Sequence, residues 1–115
     1  MDARNGLEQV GKLRLKNQGG FVVKLDFEYY DMNHKQVRVH GSRKDITLGC
    51  SETSDPGDYG IKDGQEFTVH ADVVAGRDNT GSTWFIYKKG CATTAKFTIS
   101  GTTLDNELGF NGYEQ

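Results

Sequence analysis

The stretch GFVVKLDFEYYD, residues 20 to 31, alternates strictly between apolar and polar side chains. Phe21, Val23, Leu25, Phe27 and Tyr29 fall on one face, and Lys24, Asp26 and Glu28 on the other. A period of two over this length is a β-strand with one buried and one hydrated face. EFTVHADVVA repeats the pattern, with Phe67, Val69, Ala71 and Val73 inward and Thr68, His70 and Asp72 outward. Asp63-Gly64 just before it is a turn signal.

Shorter segments keep the period: Leu13 and Leu15, Val37 and Val39, Ile46 and Leu48, Phe97 and Ile99, then Leu104, Leu108 and Phe110. The chain has 15 glycines and one proline, so its reversals rest on residues that tolerate positive φ. Many tight turns between short strands predict an all-β antiparallel sandwich of seven or eight strands. Its expected core includes Phe21, Val23, Leu25, Phe27, Phe67, Val69, Val73, Phe97 and Ile99. No apolar i, i+3, i+4, i+7 pattern runs far enough for a helix, and only a short turn in residues 2 to 9 is expected. At 115 residues the chain fits one domain, 1 to 115, with no internal repeat. The longest connection expected is CSETSDPGDYGIKDGQ, residues 50 to 65.

Fourteen Lys plus Arg stand against 16 Asp plus Glu, a balance too even to gather a polyanion, so nucleic acid is not expected as a partner. No window approaches the run of about 18 apolar residues that a transmembrane helix needs. The first residues lack the apolar region of a signal peptide, and no Asn-x-Ser/Thr sequon occurs. Localisation stays open, with an extracellular or non-classically exported protein favoured if a cystine forms.

Cys50 and Cys91 sit at predicted strand ends and outside any CxxC or Cys/His cluster. Two predicted strands, 66 to 75 and 83 to 88, lie between them, so two reversals would return the chain to the same end. A Cys50–Cys91 bridge would then contribute roughly 4 kcal/mol in the chain-entropy model. Two free thiols are the alternative, as a reducing compartment would favour.

The loop of residues 76 to 82 runs into Trp84, the only tryptophan. An aromatic shelf beside Arg77, Asp78 and Asn79 is the chemistry that holds a pyranose: the ring face packs on the aromatic while carboxylate, amide and guanidinium satisfy hydroxyls. A lone tryptophan in a sandwich is otherwise a core residue. Phe85 and Tyr87 on the opposite face are equally apolar, and the period does not decide between the pairs.

Other constellations are weaker. Asp55, Asp58, Asp63 and Asp78 invite calcium but lack a recognised ligand spacing, so solvated turns explain them. His34, His40 and His70 are scattered, and His70 with Asp72 reads as a polar outward strand face. GxSxG is absent and no catalytic set stands out, so neither enzyme activity nor a metal or other cofactor is expected. Tyr29, Tyr30, Tyr59, Tyr87 and Tyr113 with Lys88, Lys89 and Arg77 could form an aromatic and basic rim for a headgroup layer, but their positions scatter.

With LKNQGGFVVKLDFEYYD and FTISGTTLDNELGFNG in view, the chain resembles the small single-domain β-sandwich lectins of fungal type. That resemblance implies carbohydrate binding without catalysis, glycans as partners and a homo-oligomer. Subunits could pair through edges at residues 10 to 16 or 103 to 110. The alternative is a membrane-active or protein-binding module that uses the loop of residues 50 to 65, with Asp55, Asp58 and Tyr59.

Overall fold

The computed structural model describes residues 6–115. Ten strands form two sheets: β1 (Gln9–Val10), β2 (Lys12–Asn17), β3 (Val23–Tyr30), β4 (Gln36–His40), β5 (Ser51–Ser54), β6 (Glu66–Val73), β7 (Asn79–Thr80), β8 (Phe85–Tyr87), β9 (Thr94–Gly101) and β10 (Asn106–Glu114). One sheet has the order β1-β8-β6-β3-β4, with β7 also on β6, and the other has the order β10-β9-β2-β5. The all-β sandwich class expected from alternation therefore stands. Its sheets are mixed, however, because β2 runs parallel to β9 and β1 parallel to β8. Alternation reports which face is buried and carries no information on strand direction.

The core lies between the sheets. Leu13, Leu15, Val23, Leu25, Phe27, Phe67, Val69, Ala71, Val73, Phe85, Phe97 and Ile99 are all buried, while Phe21 is half-buried against them. Phe85 ties the layers together, with its ring centroid 5.8 Å from Phe97 and 5.5 Å from Phe110 across the interface. Edge-to-face and tilted pairs of this kind add about 0.5–1.5 kcal/mol each beyond the area they bury.

Three expectations change. Ile46 makes only an isolated bridge to Val23, while the polar SETS forms β5 against β2. The connection of residues 50 to 65 is thus a strand followed by a short 3-10 turn, Pro56–Tyr59, capped by the Asp55 carboxylate. Of residues 10 to 16, those in β2 do not form a free edge, because β2 lies between β9 and β5, whereas Val10 belongs to β1 at the edge of the other sheet; β10 is an edge strand as well. Residues 2 to 5 of the expected N-terminal turn lie outside the described residues, and Gln9 already belongs to β1.

Strand β5 also overturns the cystine. Both cysteines are free. Cys50 sits beside Asn17, whose amide donates to its carbonyl at 2.9 Å, and Cys91 packs on Gly11, where an added Cβ would lie 2.2 Å from the Cys91 carbonyl oxygen. Six residues of extended chain separate these two anchors, roughly 20 Å at about 3.3 Å per residue. A cystine requires Cα atoms within about 7 Å. With β5, β6 and the β7–β8 path between them, the cysteines are three reversals apart and lie at opposite ends.

Candidate functional site

The turns that carry the predicted sugar site gather at one end of the sandwich. Backbone bonds join them: Val74 N to the Val22 carbonyl, Arg77 N to Thr103, Gly20 N to Gly101 and Gly49 N to Asn17. Asn17 is the fastener. It is fully buried, and its Nδ2 donates to the carbonyls of Phe21 (2.6 Å) and Ile46 (2.9 Å) while its Oδ1 accepts from Gly19 N. An asparagine placed at the last position of a strand gave no sequence signal for this role.

The four predicted residues do not converge. Asp78 turns onto the sheet, where Oδ1 accepts from Val73 N and Oδ2 lies 3.1 Å from His70 Nε2. Asn79 faces the other way and donates to the Asn106 carbonyl at 3.2 Å. The Arg77 side chain is exposed. Trp84 is half-buried and tilted against Tyr30 with centroids 4.9 Å apart, so it belongs to the outer face, and Phe85 and Tyr87 are the core pair. Registers of Asn79 on Ala71 and Phe85 on Phe67 put Asp78 near Asp72 and Trp84 near Thr68. Four strand positions separate those partners, about 13 Å.

The outer face of β3 and β6 was expected to be hydrated, yet Asp26, Glu28, Thr68 and His70 are buried there. The segment after β4 covers them from one side. Arg43 Nη1 donates to Asp26 Oδ2 and Asp72 Oδ2, both at 2.8 Å, and Asp26 also accepts from Gly41 N and lies 3.2 Å from His40 Nδ1. Arg43 adopts the left-handed backbone region, φ 62°, as it turns back over the sheet. From the other side β7 brings Thr80, whose hydroxyl donates to Glu28 Oε2 at 2.8 Å and lies 2.8 Å from His70 Nδ1. Gln36 donates to Glu28 Oε1.

Burial pushes the Glu28 carboxyl up, but hydrogen bonds from Gln36 and Thr80 and the nearby His70 and Arg38 outweigh it, leaving its pKa below the ordinary 4.5. Burial also opposes ionisation of Asp72, and the bond to Arg43 prevails there too, so its pKa lies below 3.8. Thr80, His70 and Asp78 resemble a hydroxyl-imidazole-carboxylate relay in order. The hydroxyl is directed at Glu28, and His70 is 2% exposed, so the group is closed upon itself and holds β7 on the sheet.

The loop named in the alternative reading borders a cavity of about 340 Å³ lined by Asp55, Asp58, Lys62, Asp63, Tyr87 and Lys89. Burial and the Asp55 carboxylate, which accepts from the Tyr87 hydroxyl, push the phenol's pKa up. Asp55 is committed to the capped turn and to Tyr87, and Asp63 accepts from Lys89 N. No group of three or more metal-ligating side chains occurs among the described residues.

The end opposite that cavity carries a different chemistry. Leu48, Val74 and Leu104 are 64%, 44% and 71% exposed. They sit on three separate turns that the bonds of Asn17, Val74 and Arg77 bring to the same end. At the other end Met32, at the tip of the β3–β4 turn, and Tyr113, near the end of β10, are also exposed, on separate elements. No helix among the described residues is long and apolar enough to cross a membrane.

No family model and no curated protein matches the sequence. Among solved structures, similar folds occur in listeriolysin O (16% identity, 89% of this chain, 22% of that one, TM-score 0.49) and in the cytotoxin suilysin from Streptococcus suis (18%, 91%, 24%, TM-score 0.47). A further match is pneumolysin, described as a sugar-binding protein (18%, 91%, 23%, TM-score 0.48). The chain spans less than a quarter of the length of each of these three proteins.

Proposed function

We propose that the chain is a non-catalytic module that docks on a membrane surface through the end bearing Leu48, Val74 and Leu104. The observation that carries this reading is the exposure of three aliphatic side chains on separate turns at one end of a rigid sandwich. Protruding tips divided by polar backbone suit a deformable lipid interface, whereas a peptide partner calls for a continuous groove. The turns are held in place before docking, so little ordering cost accompanies insertion. Each tip would contribute roughly 1–2 kcal/mol on burial, so docking through three tips is weak and reversible unless a second contact or several copies reinforce it.

Flotation with phosphatidylcholine vesicles tests this reading. Binding by the parent chain and its loss in a Leu48→Asp/Leu104→Asp double variant are expected, and equal binding by both would refute it.

Carbohydrate binding without catalysis is the second reading. It is favoured by an open polar groove beside β10, bordered by Asn79, Ser100, Glu107 and Asn111, rather than by residues 76 to 82, whose side chains diverge. Self-association belongs with either reading, since the β10 edge is free to pair and linked copies would multiply a weak contact.

A further inference from the structure

A groove of about 600 Å³ runs beside β10, at the seam where β7 of one sheet approaches β10 of the other. Its volume is within the roughly 300–1,000 Å³ range of small-ligand sites. Gly109 forms its floor: the backbone there is not left-handed, and a Cβ built on it would meet nothing within 4 Å. Around this bare floor stand polar groups that the fold has oriented and left with capacity to spare.

Asn79 is fixed by donating its Nδ2 to the Asn106 carbonyl and side-chain oxygen, and its Oδ1 has no partner among the described residues. Asn111 accepts from the Thr98 hydroxyl through Oδ1, leaving its Nδ2 to donate outward. Ser100, opposite Glu107 in the strand register, supplies a hydroxyl without a partner among the described residues, and the Glu107 carboxylate makes no ion pair among them. The set therefore offers a carboxylate, an amide acceptor, an amide donor and a hydroxyl within one concavity.

We infer that this groove binds a neutral glycan lying over Gly109, with Glu107 and Asn111, four strand positions apart on either side of it, engaging hydroxyls at opposite ends of the sugar. Sugar hydroxyls each donate and accept, and a carboxylate at one side of the groove with an amide N–H at the other answers both demands. A phosphate or sulfate would meet the Glu107 charge with no cation in the lining to offset it. A hard cation would find a single carboxylate where it prefers several. The site rests on the carbohydrate reading and is independent of membrane docking.

The test is a titration of ¹⁵N-labelled chain with methyl glycosides of glucose, galactose, mannose, fucose and N-acetylglucosamine, followed by amide chemical shifts. Saturable shifts at Thr98, Ser100, Glu107, Gly109 and Asn111 are expected for at least one sugar. Gly109→Val fills the floor with a residue suited to a strand, and should weaken that binding at least tenfold while leaving the remaining spectrum and vesicle flotation unchanged. Glu107→Gln and Asn111→Ala should each weaken it as well.

A sugar whose shifts centre on Trp84, or that binds Gly109→Val equally well, would overturn the site and keep the carbohydrate reading. Silence from all five glycosides would overturn both. The sugar that binds is then placed on a glycosylceramide in phosphatidylcholine vesicles. Increased flotation supports a lipid-borne source and unchanged flotation a soluble glycan, with the groove retained in either case.

Discussion

Cys50 and Cys91 flank opposite ends of β2, the first beside Asn17 and the second on Gly11. Both are accessible as thiols, Cys50 exposed and Cys91 half-buried. Alkylation of the folded protein without reductant should label both, Cys50 faster. Replacing either by Ser should change stability by less than about 1 kcal/mol, far from the several kcal/mol a cystine would contribute. An intact mass two hydrogen atoms lighter than the reduced chain would contradict this.

Asn17 predicts a second outcome. Its side chain makes three bonds from a fully buried position and ties the β2–β3 turn to Ile46. Asn17→Ala should cost about 2–3 kcal/mol in urea unfolding, because buried carbonyl and amide groups lose their partners. It should also reduce vesicle binding even where the chain stays folded, since the turns beside it carry the apolar tips. A loss of stability below about 0.5 kcal/mol would show that water replaces the side chain without penalty.

How much of this was legible in the sequence follows from what alternation can report. The facing sets Val23, Leu25, Phe27 and Phe67, Val69, Val73 were legible because burial of one face leaves a period of two. The SETS strand was not, since its side chains are polar, and missing it reversed the parity argument for the cysteines. Alternation predicts a hydrated face for Asp26, Glu28 and His70 because it identifies the polar face and carries no information on what lies over it. Arg43, from a turn 17 positions beyond Asp26, supplies that cover. The period leaves the Trp84 and Phe85 faces equally apolar, and the packing of Phe85 on Phe97 decides between them.

Buried Glu28 and partly exposed Asp72 set an acid limit. Glu28 and Asp72 have folded pKa values below their ordinary 4.5 and 3.8. The unfolded chain therefore takes up protons first as pH falls, and the stabilisation from these groups, fully present above about pH 5, is lost as pH drops through the folded values. Urea midpoints should hold between neutrality and about pH 5 and decline below about pH 4, with Glu28→Gln flattening part of that decline. A midpoint constant down to strongly acidic pH would contradict the account.

Trp84 should behave as a surface aromatic. Trp84→Ala loses a tilted pair with Tyr30 and should fold normally at a cost of about 1–2 kcal/mol. Leu15→Ala, in the closed core, should cost about 2–5 kcal/mol. If Trp84→Ala were instead the more destructive of the two by urea denaturation, its place on the outer face would be wrong.

The most direct measurement of the docking proposal is amide signal attenuation in phosphatidylcholine bicelles containing a doxyl-labelled lipid. The account predicts attenuation centred on Leu48, Val74 and Leu104 and fading along β3 and β6 towards Met32. Attenuation centred on Asp58 and Tyr59 at the other end, or none anywhere on the chain, would contradict it.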